Sequence, residues 1–333
     1  MALAALFHAV SELIPDSVKN ALPDPSGAFS SLLKPANFSA GSSRHADLTN
    51  IPDWARQPQH ESSIPGWINV VVALAAIIPI LYLLFRDTKV KAFLKPTEFQ
   101  ELPLEHKEVV SHNVRRFRFA LPEKKMVIGL PIGSHITIAA KDTEGKDVMR
   151  PYTPVTDDNS KGYVDFVIKV YPQGKMSQCM ERLALGDTLK FKGPRGKFKY
   201  QPNMKRAIGM IAGGSGITPM FQVAQGILRN PYDQTKVFLI YANVAEEDIL
   251  LRKEFDKWAR DHRARFKVYY VLEKPPAGWT GGEGYISKDM VHEHLPLPHA
   301  DVVTLRCGPP PMNRAVEGIL DAQGFSKEMQ FEF

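Results

Sequence analysis

Ala212-Gly213-Gly214-Ser215-Gly216-Ile217-Thr218-Pro219-Met220, AGGSGITPM, decides the reading of this 333-residue chain. It follows the short apolar run Ala207–Ala212 (AIGMIA) and precedes helical spacing from Met220 to Leu228. A strand, a glycine turn and a helix are therefore expected in that order. From Gly214 the spacing is G-x-G-x-x-P, with Pro219 where a dinucleotide fingerprint carries its third glycine. Gly213, Gly214 and Gly216 let the backbone turn tightly and approach a ligand without Cβ clashes. Thr218 is expected to cap the helix, and Pro219 suits a first turn whose N–H has no partner. A helix N-terminus so built faces an anion.

Downstream the rhythm repeats. Val237–Ala242 (VFLIYA), Phe266–Leu272 (FKVYYVL) and Val302–Leu305 are predicted strands, and Ile249–Asp261 and Ile286–His294 predicted helices. Cys307-Gly308-Pro309-Pro310-Pro311-Met312 then opens a helix running through Leu320. Alternation of this kind implies a parallel sheet with helices on both faces, whose ligands lie outside the carboxyl ends of the strands. Both glycine loops would then face one crevice. Cys307 has no histidine or other base spaced to activate it, so nucleophilic catalysis is not expected there.

Upstream, residues 97–202 read as short strands punctuated by Gly and Pro. Val114–Ala120 (VRRFRFA), His135–Ala139 (HITIA) and Thr188–Lys192 (TLKFK) alternate, and Tyr163–Tyr171 (YVDFVIKVY) is rich in β-branched and aromatic residues. An antiparallel barrel follows. Within it, Arg150-Pro151-Tyr152-Thr153-Pro154 sets a fixed cation, an aromatic face and a hydroxyl on a stiffened backbone, which suits a phosphate beside a planar ring. The plain alternative is a strand-turn with a surface arginine. Gly174-Lys175-Met176-Ser177 opens a helical stretch through Ala184, and its amides suit a second phosphate contact.

The front of the chain differs. Trp67–Phe85, WINVVVALAAIIPILYLLF, has 19 residues interrupted only by Asn69 and Pro79. A buried core helix would show some polar face; this one has none, and its length of roughly 28 Å as a helix matches a bilayer core. Arg86, Lys89, Lys91 and Lys95 follow it, which places the large C-terminal part in the cytosol. Residues 23–66, with prolines at 23, 25, 35, 52, 58 and 65, are expected to form no packed core. Residues 1–22 are compatible with a short amphipathic helix that has neither the arginines of a mitochondrial presequence nor the positive start of a secretory signal. The net charge of +6 divides into two negative charges before the span and eight positive charges after it. That suits an acidic partner or membrane surface, and equally a solvated surface. No dense basic stripe suggests nucleic acid. Cys179 and Cys307 stand far apart without a CxxC, so neither a metal site nor a disulfide framework is expected. The organisation read from sequence is an extension (1–66), a span (67–85), a linker (86–96), a β-barrel (97–202) and an α/β domain (203–333).

RPYTP, VIKVYPQGKMS, GPRGKF, GMIAGGSGITPM, EEDILLR and CGPPPM occur in an order that resembles NADH-cytochrome b5 reductases, within the ferredoxin-NADP reductase superfamily. The likeness covers roughly residues 97–333, including the aromatic ending Phe331-Glu332-Phe333, and the fungal, membrane-anchored form is nearest. Ser215 departs from the threonine common in that loop, a mild change.

The resemblance implies a Greek-key barrel that holds FAD through Arg150, Pro151, Tyr152 and Thr153, with Val167, Lys169 and Tyr171 from the next strand. Gly174, Lys175, Met176 and Ser177 would cradle its pyrophosphate, and Thr218 would approach the flavin from the other domain. NADH would lie over Gly213, Gly214 and Gly216 and against Cys307, Gly308, Pro309 and Met312. Tyr152, Thr153 and Ser177 would orient the ring during hydride transfer. His135 is either part of a hydrogen-bond network near the flavin or an exposed strand-end histidine. Glu246, Glu247 and Asp248 would repel a 2′-phosphate and favour NADH, with Asp248 the discriminator implied by the likeness. The implied acceptor is cytochrome b5, an acidic haem protein, with the iron protein of diphthamide synthesis as a further one. The implied location is the endoplasmic reticulum or mitochondrial outer membrane. A reductase of quinones or ferric chelates, and a membrane scaffold without catalysis, are the competing readings.

Overall fold

The computed structural model describes residues 91–333, together with Ile77. The expected span at 67–85 and the extension at 1–66 lie outside the described residues, apart from Ile77. Among the described residues no helix is long and apolar enough to cross a membrane.

Six strands form the first lobe: β1 (Gln100–Ser111), β2 (Val114–Ala120), β3 (His135–Lys141), β4 (Asp147–Tyr152), β5 (Tyr163–Lys169) and, after the short helix α1 (Lys175–Glu181), β6 (Thr188–Arg195). Their order is β4-β3-β6-β1-β2-β5, antiparallel throughout, with β6 returning between β3 and β1 as in a Greek key. Period-2 burial explains the strands. Phe117 and Phe119 from β2, Ile136 and Ile138 from β3, Phe166 from β5 and Phe191 from β6 all enter one buried cluster. The end strands β4 and β5 share no ladder, so the sheet wraps its core but stays open there. Tyr152 closes the seam edge-on against Phe166, ring centroids 6.4 Å apart.

Three sequence expectations change in this lobe. β1 and β4 were not read as strands, because their outward residues are polar or charged and mask the alternation. β5 stops at Lys169 rather than Tyr171, since Tyr171 enters the turn that leads to α1. Part of the expected linker is barrel: Phe93 and Leu94 donate their backbone N–H groups to Val127 and Ile128 and bury their side chains in the core.

The second lobe contains β7 (Ala207–Gly213), α2 (Ile217–Arg229), β8 (Lys236–Asn243), α3 (Arg252–Asp261), β9 (Phe266–Leu272), β10 (Gly282–Glu283), α4 (Lys288–His294), β11 (Val302–Cys307), α5 (Pro310–Ala322) and β12 (Gln330–Glu332). All six strands are parallel, in the order β10-β9-β8-β7-β11-β12. β7 is buried at every residue, as a central parallel strand must be. One face packs Ile208 and Met210 beneath α2 and α3, and the other packs Ala207 and Ile211 beneath α4 and α5.

Three helix starts move, the simplest being the helix expected from Ile286, which begins at Lys288 behind the Ser287 cap. A single 3-10 turn at Gly214–Gly216 leads into α2, so Gly216 is the cap and Thr218 is already the second helical residue. The threonine cap expected from sequence is therefore not formed; Thr218 Oγ1 instead donates to Ser215 O at 3.4 Å. The helix expected from Ile249 begins at Arg252. Ile249 and Leu250 turn into the core, and Leu251 adopts left-handed backbone at φ 57°.

Candidate functional site

Parallel pairing of β7 with β11 sets Ala212 opposite Cys307, so the two glycine loops leave the sheet side by side. They touch. A Cβ on Gly216 would lie 2.2 Å from Cys307 O, and one on Gly213 would lie 2.5 Å from Met312 Sδ. A Cβ on Gly308 would meet Met312 Cε at 2.4 Å. Gly213, Gly216, Gly308, Pro309 and Met312 thus form one continuous floor. Gly214 is different: its φ is +53° and nothing lies within 4 Å of the Cβ position, so the backbone faces open space. Tyr241, fully buried in β8, pins this turn by donating to Gly214 O at 3.0 Å and accepting from Leu250 N at 3.2 Å. Burial pushes its ionisation well up, so the phenol stays a donor. Burial likewise raises the Cys307 thiol to about 11, which keeps it protonated at neutral pH.

On the first lobe, Arg150 and Tyr152 stand at the seam between β4 and β5. The Arg150 guanidinium is exposed and bonded only to Met149 O at 2.7 Å, with no carboxylate partner among the described residues. Thr153 is largely buried, and its hydroxyl makes no hydrogen bond among the described residues and is not one of the fully buried unpartnered oxygens. Burial pushes the Tyr152 phenol up to about 12. Lys175 is exposed and also unpaired among the described residues. Two exposed cations, a hydroxyl and an aromatic ring, the cations and the hydroxyl without side-chain partners among the described residues, suit an anionic cofactor with a planar ring, and FAD is such a cofactor. The open backbone at Gly214 suits a nucleotide phosphate in the same way.

The turn before α1 is tightly organised. Ser177 Oγ donates to Gly174 O at 2.9 Å and accepts from Tyr171 N at 3.1 Å. A Cβ on Gly174 would lie 2.4 Å from that hydroxyl. Ser177 therefore shapes the turn that presents Lys175, while Met176 points into the barrel core. Val167 faces outward and joins the buried cluster that contains Ile217 and Met220 of the other lobe.

Lys169 and Asp248 meet. Lys169 Nζ lies 2.6 Å from Asp248 Oδ1, and Asp248 Oδ2 accepts from Ala245 N at 3.2 Å. Burial alone would raise the Asp248 carboxyl, but the Lys169 ammonium and the backbone amide hold it below the usual carboxylate range. The two residues join the lobes, whereas Glu246 pairs with Arg252 and Glu247 has no partner among the described residues. His135, at the start of β3, is half-buried rather than exposed. Burial first and then the Arg195 charge lower its pKa below 6.5.

Two residues of this region escaped the sequence reading. Tyr241 lay inside an apolar run and counted only as core, although a hydroxyl in a fully buried strand signals a required partner. Gln222 lies in the helical stretch after the glycine loop, and an amide on a largely apolar helix is the corresponding signal, one that Gln225 three residues on shares. Its Oε1 accepts from Gly133 N at 2.8 Å and its Nε2 donates to Ser134 O at 3.2 Å.

Known proteins share this arrangement. Residues 101–200 match the oxidoreductase FAD-binding domain family and residues 210–318 the oxidoreductase NAD-binding domain family. The chain is 50% identical over 267 residues to NADH-cytochrome b5 reductase 1 of Arabidopsis thaliana, spanning 80% of this chain and 95% of that protein. It is 49% identical over 248 residues to NADH-cytochrome b5 reductase 1 of Dictyostelium discoideum, spanning 74% and 86%. Among solved structures, the cytochrome b5 reductase domain of Ulva prolifera nitrate reductase superposes with a TM-score of 0.70 at 39% identity, over 73% of this chain and 100% of that one. Two glycine loops on one parallel sheet, a seam of unpaired polar groups on an antiparallel one, and these relatives agree: the chain belongs to the NADH-cytochrome b5 reductases, FAD-dependent oxidoreductases of the ferredoxin reductase superfamily.

Proposed function

We propose that this chain carries electrons from NADH through FAD to cytochrome b5 while held at a membrane by Trp67–Phe85, its two lobes on the cytosolic side. Its relatives' names supply the acceptor. The observation that carries the reading is that the seam of one lobe and the glycine floor of the other belong to lobes joined directly, through Lys169–Asp248 and Gln222–Gly133. The iron protein of diphthamide synthesis is a second one-electron acceptor in this reading, and the membrane is that of the endoplasmic reticulum or the outer mitochondrion. The FAD domain runs over 97–202 and the NADH domain over 203–333, with residues 92–95 docked onto the first.

Bound together, NADH and FAD supply hydride chemistry on one side and single-electron release on the other. The chain's own residues bind, orient and exclude water. Arg150 and Lys175 neutralise phosphate, with the amides of Gly174–Ser177 shaping the second contact. Pro151 would stiffen the backbone that presents Tyr152, whose phenol stays protonated and would be available to donate. The Thr153 hydroxyl would bond the flavin edge, and Ser177 acts by holding the turn from Tyr171 to Lys175. Val167 and Lys169 line the second-lobe side of the seam. Gly213, Gly214 and Gly216, backed by Cys307, Gly308, Pro309 and Met312, take NADH, and Thr218 stands one step into α2 beside them. Glu246, Glu247 and Asp248 place carboxylates where a 2′-phosphate would add charge.

Anaerobic addition of NADH to the purified holoprotein, followed by titration with cytochrome b5, tests donor, cofactor and acceptor together. Flavin bleaching on NADH and its reversal by cytochrome b5 are expected. A protein purified without a flavin spectrum would sink the enzyme reading, and faster turnover with a quinone or ferric chelate would replace the acceptor. Arg150→Glu should lower flavin occupancy several-fold; unchanged occupancy counts against the phosphate contact.

A further inference from the structure

We infer that Gln222 is a positioning residue for hydride transfer: it fixes the register of α2 against the flavin lobe, and so the height of the NADH floor relative to the flavin. The inference rests on the assignment of FAD to the first lobe and NADH to the second.

α2 is buried along nearly its whole length, at 11 of 13 residues, because the sheet covers one side and the other lobe covers part of the rest. Thr218, Gln222, Gly226 and Arg229 recur at helical spacing and share one stripe. Three of them contact the first lobe. Gly226 lies against Ile132, whose Cδ1 is 2.4 Å from the Cβ position. Arg229 pairs with Asp157, and Gln222 makes its two bonds to Gly133 and Ser134.

These contacts differ in what they can fix. The Gly226–Ile132 contact is apolar and tolerates sliding. Arg229 is 59% exposed, so its pair with Asp157 is screened by solvent. The Gln222 amide is buried and holds a donor and an acceptor at once, so displacement along the helix breaks both bonds inside the interface. The loop it grips cannot follow. Gly133 has φ +87°, and a Cβ there would lie 2.6 Å from Phe198 O. Behind it, Phe198 packs on Phe331 and Phe333, ring centroids 5.1 and 5.7 Å away. The gripped residues lead directly into His135 and β3, while Thr218 lies about one helical turn before Gln222 and the Gly213–Gly216 floor immediately precedes α2. Lys169–Asp248 and the packing of Phe198 on Phe331 and Phe333 of the second lobe also join the lobes, but the Gln222 amide is the polar tie that acts on α2 itself, the helix that follows the NADH floor. Reaction between two bound cofactors is steeply sensitive to such placement.

The test uses FAD-loaded holoprotein mixed rapidly and anaerobically with NADH, reading the limiting rate of flavin bleaching and the half-saturating NADH concentration. Gln222→Met removes both bonds at similar volume. It is expected to slow the limiting rate about tenfold and to leave half-saturation within about twofold, with flavin content unchanged. Gln222→Glu keeps the acceptor for Gly133 N, loses the donor to Ser134 O, and should fall between. Gly226→Val is an independent wedge in the same stripe; it should slow the limiting rate, and adding Ile132→Ala should restore it. If Gln222→Met does not fold, the wedge and its rescue decide. A lowered melting temperature with an unchanged limiting rate would mark a purely structural residue and overturn the inference. Wild-type protein that is not bleached at all would instead overturn the assignment of function.

Discussion

At the scale of single residues, His135 and the Lys169–Asp248 pair carry measurable consequences. His135 has a pKa below the ordinary 6.5, first through burial and then through Arg195. The unfolded chain therefore takes up this proton before the folded one. Stability is whole above about pH 6.5 and falls as the pH drops through the folded value. Melting temperatures between pH 7.5 and 5.5 should decline for the wild type and decline less for His135→Gln; parallel curves would remove His135 as the cause. The Lys169–Asp248 pair behaves as a buried bridge, its side chains only 15% and 9% exposed. Lys169→Met strands a carboxylate and should cost about 3 kcal/mol in urea unfolding. Adding Asp248→Asn should recover much of that loss, since the burial cost of the charge goes with it. No recovery would mean that Lys169 acts through its packing.

At the scale of elements, the two glycine loops make opposite demands on adjacent positions. Gly216 is glycine because Cys307 O occupies its Cβ site, whereas Gly214 is glycine because its φ is positive in open space. Gly216→Ala must therefore separate β7 from β11 at their carboxyl ends. It should weaken apparent NADH affinity at least about tenfold through a displaced floor. Gly214→Ala meets no atom and carries only the left-handed backbone penalty, about 1 kcal/mol. A Gly214→Ala variant with the larger loss of NADH affinity would reverse the assignment of which glycine is the packed one. The sequence read this loop as a glycine turn and took Thr218 for its cap. The cap moved because the 3-10 turn at Gly214–Gly216 delivers the chain to the helix two residues earlier.

At the scale of the molecule, eight net positive charges fall after residue 85. An acidic partner should be drawn to the lobes by a field that salt screens. Raising ionic strength from about 0.01 M to about 0.15 M should slow second-order reduction of cytochrome b5 several-fold. The rate of bleaching by NADH at saturation should hardly move. A salt-independent second-order rate would remove steering from the account.

Much of this protein was legible in its residues alone. β2 and β9 have the bounds read from alternation and β-branched content, and the strand-loop-helix order of the second lobe follows from AIGMIA, AGGSGITPM and CGPPPM. Periodicity and glycine spacing are local, and local physics sets them. What the tertiary structure decided is everything that depends on where distant segments cross. β1 and β4 became strands only because neighbours pair with them, and Phe93–Leu94 became core only because Val127 and Ile128 receive their amides. Asp248, read as a carboxylate facing a nucleotide, also grips Lys169 across the lobes. Gln222, whose amide the sequence shows without its partner, holds the loop before β3 from 89 residues away. A hydrogen bond across that separation leaves no period in the chain, and only the packing of one lobe on the other reveals it.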